Sequence, residues 1–152
     1  MLKKLLSAYA NFVRGLNFLA PLVDLLIRLY VANVFWKSGL TKIASWPSTL
    51  ALFAYEYSVP FLPPEVAAVI GTGIELAMPV LLVLGLAGRV SALVLFLFNI
   101  MAVVSYPELT DLARQHHYYW GMLLAFLVVH GCGRLAVDHF LCRKAPWSFQ
   151  TR

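Results

Sequence analysis

Four long apolar runs, separated by short links rich in proline, glycine or polar residues, organise this chain. They cover roughly 19–40, 65–86, 88–106 and 117–138, and each approaches the about 20 residues that a helix needs to cross a bilayer. The link LGLAGRV (84–90) is short and holds Gly85 and Gly88, which predicts a tight turn and an antiparallel hairpin between the second and third runs. The link SWPSTLALFAYEYSVPFLPPE (45–65) opens on Trp-Pro and closes on Pro-Pro. Ser45 or Ser48 is placed to cap a short helix there, with Pro47 tolerated in its first turn. Leu50, Phe53, Ala54 and Tyr57 then share a face, and Trp46, Tyr55 and Tyr57 suit a membrane interface. The link 107–120 reads as a polar outer loop. Upstream, Leu2, Leu5, Leu6, Tyr9, Phe12, Val13 and Leu16 recur at helical spacing beside Lys3, Lys4 and Arg14, the pattern of an amphipathic helix at a membrane surface.

The pattern predicts an all-α membrane protein, an antiparallel four-transmembrane-helix bundle with a short outer interfacial helix and an N-terminal amphipathic helix. Its divisions are a lead-in at 1–18, the four-helix domain at 19–141 and a tail at 142–152. Composition agrees. Hydrophobic residues make up 61% of the 152, charged residues 12%, and mean hydropathy is +0.78, where soluble domains carry about 25% charge. Lys3, Lys4, Arg14, Arg89, Arg134, Arg143, Lys144 and Arg152 fall on one side of the expected spans; Lys37, Lys42 and Arg114 fall on the other. By the positive-inside rule both termini are expected in the cytoplasm. The same asymmetry accounts for the net charge of +5; without aromatic-interleaved basic patches it does not point to nucleic acid. Cys132 and Cys142 are expected as free thiols, some 15 Å apart on a continuous helix, too far for a bridge.

Charges inside the runs are the candidate chemistry. Taking 100° per residue from Asp24, Arg28 lies at about 40°, Phe35 at about 20°, Gly39 at about 60° and Lys42 near 0°. These residues therefore share one face, and a charge at mid-bilayer, costing about 2.5–3.5 kcal/mol, must turn inward and find partners. Glu75, Asn99 and His130, with Arg134 and Asp138 beyond it, are the groups that the other runs offer. One continuous polar seam is expected, with Arg28–Glu75 as its first pair. Asp24–Arg28 at i, i+4 also suits a plain interfacial salt bridge, Asn99 an interhelical bond, and Asp138 a cap. His116 and His117 project about 100° apart on a helix, and no HxxxH, ExxH or CxxC spacing is present, so no metal site is expected.

FWKSGLTKI in the first run, GTGIELAMPVLLVLGLAGRVSAL across the second and third, and GCGRLAVDHFL at the end of the fourth resemble the DoxX family over about residues 22–141. The motif positions are Gly39, Lys42, Glu75, Arg89, Gly131, Gly133 and Asp138; Ala136 stands where the family often has serine. The family takes its name from a subunit associated with thiosulfate:quinone oxidoreductase. The resemblance thus implies a quinone-linked redox subunit in the lipid bilayer of a bacterial inner membrane, working with a redox, sulfur- or metal-handling protein partner and open to assembly as a homo-oligomer. On that reading Glu75 and His130 move protons, and Arg28, Phe35, Lys42, Asn99, Trp120 and Asp138 hold the quinone, the only cofactor expected. The alternative it implies is a non-enzymatic membrane anchor for a redox, sulfur- or metal-stress complex.

Overall fold

A computed structural model describes residues 1–144. Six helices follow in order: α1 (Leu2–Ala44), α2 (Trp46–Tyr55), α3 (Pro64–Leu84), α4 (Gly88–Ser105), α5 (Asp111–His130) and α6 (Val137–Lys144). Helix α1 packs on α3, α3 on α4, α4 on α5, and α5 returns to α1. The shared core is Val31, Phe35, Leu82, Leu95, Leu124 and Leu127 with small residues between them. Three helices, α1, α3 and α4, are long and apolar enough to cross a membrane. Helix α5 is less apolar because Asp111, Arg114, Gln115, His116 and His117 crowd its first two turns.

Three boundaries differ from the sequence pattern. The expected lead-in and first span form one helix of 43 residues that runs through Pro21, about 65 Å long at 1.5 Å per residue. Residues 2–12 are exposed on every side. The expected loop 107–120 instead starts a helix at Asp111, capped by the Thr110 hydroxyl, which accepts from the Ala113 N–H at 3.3 Å. The fourth apolar run stops being helical at His130 rather than at 138. Gly131 (φ 94°) and Gly133 (φ 74°) take backbone angles that leave the helix, so they end it, and Gly133 also leaves room for Asp24 of α1.

Helix α2 matches its predicted place, with Pro47 in its first turn. Phe53 beds against Ala67 and Ala68 of α3, and the Thr49 hydroxyl donates to the Lys42 carbonyl at 2.8 Å. Helix α2 therefore sits over the end of α1. This lets α3 begin beyond that end, which sets which residues of α1 and α3 face one another.

Candidate functional site

The buried face of α1 is the one counted from the sequence: Asp24, Arg28, Val31, Ala32, Phe35, Gly39 and Lys42. Its charges do not form one seam. Asp24 and Lys42 are eighteen residues apart, about 27 Å along the helix, and each end has its own partners.

At the Asp24 end the expected Arg28–Glu75 pair is not formed. The Arg28 guanidinium, fully buried, donates to the carbonyls of Val83 at 3.0 Å and Leu82 at 3.5 Å through Nη1, and to that of Leu135 at 2.8 Å through Nη2. These carbonyls lie at the end of α3 and in the α5–α6 loop, where helical bonding runs out. Gly85 closes α3 in the left-handed region (φ 66°), with the Leu86 N–H reaching back to the Leu81 carbonyl. A Cβ at Gly85 would collide with Ala136 and with Arg28 Nη1. Asp138 accepts from the N–H groups of Ala87 at 2.9 Å and Gly88 at 2.8 Å. It thereby caps α4 across the chain and holds Ala87 at φ 48°. Asp24 packs against Gly133; its Oδ1 lies 3.5 Å from His130 Nε2, and it forms no salt bridge with Arg28. His130 is half exposed and stacks on Phe126. Cys132 is a buried free thiol against Gly88, and burial pushes its pKa above the ordinary thiol value. Of the residues expected in the site, Arg28, His130 and Asp138 thus belong to a knot that ties the α5–α6 loop to the α3–α4 turn.

At the other end Lys42 takes the carboxylate. Its Nζ lies 2.7 Å from Glu75 Oε2, 2.8 Å from Oε1 and 3.0 Å from the Ser38 hydroxyl. That hydroxyl in turn donates to Glu75 Oε1 at 3.0 Å. All three ammonium hydrogens are engaged, so the pair is compact and neutral overall. Gly39 makes room for it: a Cβ there would stand 2.8 Å from Leu76 Cδ2 and 3.1 Å from Glu75 Cβ.

The pair lies on the wall of a cavity of about 570 Å³ whose lining includes Phe35, Phe53, Tyr57, Gly71, Phe98 and Trp120, within the size range of sites for small organic ligands. Phe35 meets Phe98 and Trp120 edge-on, at centroid distances of 6.3 and 6.4 Å. Tyr57 stacks edge-on between Phe53 and Tyr106; burial, then the Glu75 charge, pushes its phenol pKa up. Two donors of the wall, Trp120 Nε1–H and the buried Ser105 hydroxyl, have no partner among the described residues.

The cavity also recruits a residue given no role from the sequence. Asn99 donates through Nδ2 to the His117 carbonyl at 2.9 Å, and its Oδ1 lies 2.8 Å from His117 Nδ1. Because the amide is oriented by the first bond, Oδ1 must accept, so Nδ1 carries the proton. In the neutral ring Nε2 is then left as an acceptor. His117 lines the cavity with its ring 4.9 Å from that of Trp120. The adjacent His116–His117 pair drew attention in the sequence only as a weak metal motif. Among the described residues no cluster of three or more potential metal ligands occurs.

These features define a small all-helical membrane protein with an ion pair buried beneath an aromatic cavity. The family model DoxX matches residues 23–107, from the bundled part of α1 to the end of α4, and the chain belongs to the DoxX family. Arg28, Phe35, Lys42, Glu75 and Asn99 fall inside the match; His117, Trp120, His130 and Asp138 fall beyond it. The chain matches no curated protein and no solved structure.

Proposed function

We propose that the protein spans a bacterial inner membrane four times, with α5 as the fourth crossing and both termini in the cytoplasm. On this reading it binds a quinone ring in the cavity beside Lys42 and Glu75 and serves as the quinone-linked subunit of a redox pair. The observation that carries it is the cavity itself: aromatic walls, a neutralised ion pair, and a buried indole N–H without an acceptor among the described residues. An uncharged flat ring with carbonyl oxygens complements all three. Phe35, Phe98 and Trp120 enclose the ring, Trp120 Nε1–H meets a carbonyl, and His117 Nε2 accepts from a hydroxyl of the reduced form. Electrons come from a partner redox protein, two for each quinone reduced, together with two protons. Glu75 and His117, rather than His130, are the proton-handling groups close enough to serve.

Titrating a short-chain ubiquinone analogue into the protein in nanodiscs, followed by tryptophan fluorescence, tests this. Trp120→Phe and Lys42→Met should weaken binding, and Asp138→Asn should leave it unchanged. Equal affinity in all three and in the unaltered protein would remove the site.

The outer surface favours a second reading, a non-enzymatic anchor for a redox, sulfur- or metal-handling complex. Tyr55 at the end of α2 and Phe61 in the α2–α3 link stand out from the surface, and Phe61 has φ 65°. Changing both to serine should then abolish co-purification of a partner and spare quinone binding.

A further inference from the structure

Helix α1 has a second face, and one residue on it is out of place. Asn33 is nine residues from Asp24 and nine from Lys42, so it lies about 180° from both, opposite the buried face. It is exposed. It also sits midway between the two charged ends of the bundle, at the depth where a bilayer is driest. The side-chain bonds of α1 run from Arg28, Ser38, Thr41 and Lys42, none from Asn33, among the described residues. An amide left facing hydrocarbon is unfavourable, because nothing there replaces its bonds to water.

The residues around it form a regular series. Leu22, Leu26, Leu29, Asn33, Trp36 and Leu40 follow in alternating steps of four and three, and all are exposed. This is the 3.5-residue period of a two-helix seam, with Asn33 at the position where a single polar residue fixes register in paired helices. The same alternation continues upstream through exposed Leu19, Phe12 and Leu5, and Lys3, Lys4 and Arg14 all fall off it. Beside Asn33 a groove of about 290 Å³ runs between α1 and α3, floored by Pro79, Val80 and Val83, with room for side chains of a facing helix.

We propose that this face pairs with the same face of a second copy, giving a parallel twofold dimer in which the two Asn33 amides bond to each other. The amide carries both a donor and an acceptor, so it complements itself across a twofold axis. Two copies inserted in one membrane with the same orientation present α1 in parallel and in register. The seam outlasts the bilayer: α1 is about 65 Å long, against a hydrocarbon core of about 30 Å. Its free end is thereby given a partner, which an isolated helix of that length in water lacks. The dimer stands on α1 alone and does not depend on a ligand in the cavity.

Cysteine cross-linking in nanodiscs tests it, in a background with Cys132 and Cys142 changed to alanine. Leu29→Cys and Leu26→Cys lie on the seam and keep Asn33; Leu93→Cys, exposed on α4, is the control for random collision. All three are surface positions, so folding should be kept. Under copper–phenanthroline oxidation the seam positions should join at least about tenfold faster than the control, as expected of a held helix pair. The unmodified protein should have the mass of two chains per particle. A single-chain mass, or cross-linking as fast at Leu93→Cys as at Leu29→Cys, would overturn the proposal.

Discussion

Arg28 and Lys42 lie on one face of one helix, fourteen residues apart, and their surroundings have almost nothing in common. Arg28 is bonded to backbone: three carbonyls at the end of α3 and in the α5–α6 loop. Lys42 is bonded to side chains, Glu75 and Ser38, at the edge of a cavity. A planar guanidinium can serve several carbonyls at once, here one of them, that of Leu82, shared with the Gly85 N–H. A buried ion pair answers to no such need, since apolar residues of similar volume often replace one at no loss of stability. A buried charge used on backbone thus points to architecture. One used on another buried charge, beside open space, points to a site.

The largest effect should come from the architectural end. Arg28→Met removes the side-chain donor from three carbonyls and leaves that of Leu82 to the Gly85 N–H alone. A loss of about 3–5 kcal/mol is expected, enough to prevent folding. Size-exclusion profiles and thermal melting in detergent would show it. A well-folded Arg28→Met protein would erase the contrast.

Next come the single changes Lys42→Met and Glu75→Leu. Each strands one charge inside the bundle, and each should cost about 2–4 kcal/mol. The double change strands neither, so it should melt above both singles. Its affinity for a quinone analogue should still fall about tenfold, or about 1.4 kcal/mol. Stability recovered together with full affinity would move Lys42–Glu75 into the same class as Arg28.

Much of this was legible in the sequence, and the part that was not has a physical cause. Counting 100° steps placed Asp24, Arg28, Phe35, Gly39 and Lys42 on the buried face correctly, because the helical period needs no tertiary information. Pairing across helices requires depth, and depth depends on where α3 starts relative to α1. Glu75 is eleven residues into α3, about 16 Å from its start, which places it opposite Arg28 if the end of the first run, near residue 40, and the start of the antiparallel α3 lie level. They do not, because α2 occupies the space over the end of α1. Glu75 is thereby level with Gly39 and Lys42. The end of the fourth run was misread for a related reason. Gly131 and Gly133 carry positive φ angles, and composition alone does not distinguish a glycine that breaks a helix from one that lets two helices approach. His117 was weighed only as a metal ligand because its partner, Asn99, is on another helix.

Asp138→Ala should have a smaller effect than either charge in the bundle. It removes the cap of α4, and caps are worth about 0.5–2 kcal/mol. The expected result is a lower melting temperature with the quinone affinity unchanged, since the cap lies at the knot end. A drop in affinity would mean that the two ends are mechanically coupled through α4.

The smallest change separates space from charge. A Cβ at Gly71 would meet Phe53 Cζ at 3.4 Å and Phe98 Cε2 at 3.5 Å, ordinary contact distances, and alanine is the better helix former by about 1 kcal/mol. Gly71→Ala should therefore leave stability equal or slightly raised. The added methyl also enters the cavity between two of its aromatic walls. If that space receives a flat ring, affinity should fall severalfold in a protein that melts no lower, and Gly73→Ala, whose Cβ meets nothing within 4 Å, should not share the loss. Stability and binding would then move in opposite directions at a single carbon atom, which a cavity with no ligand of its own does not predict.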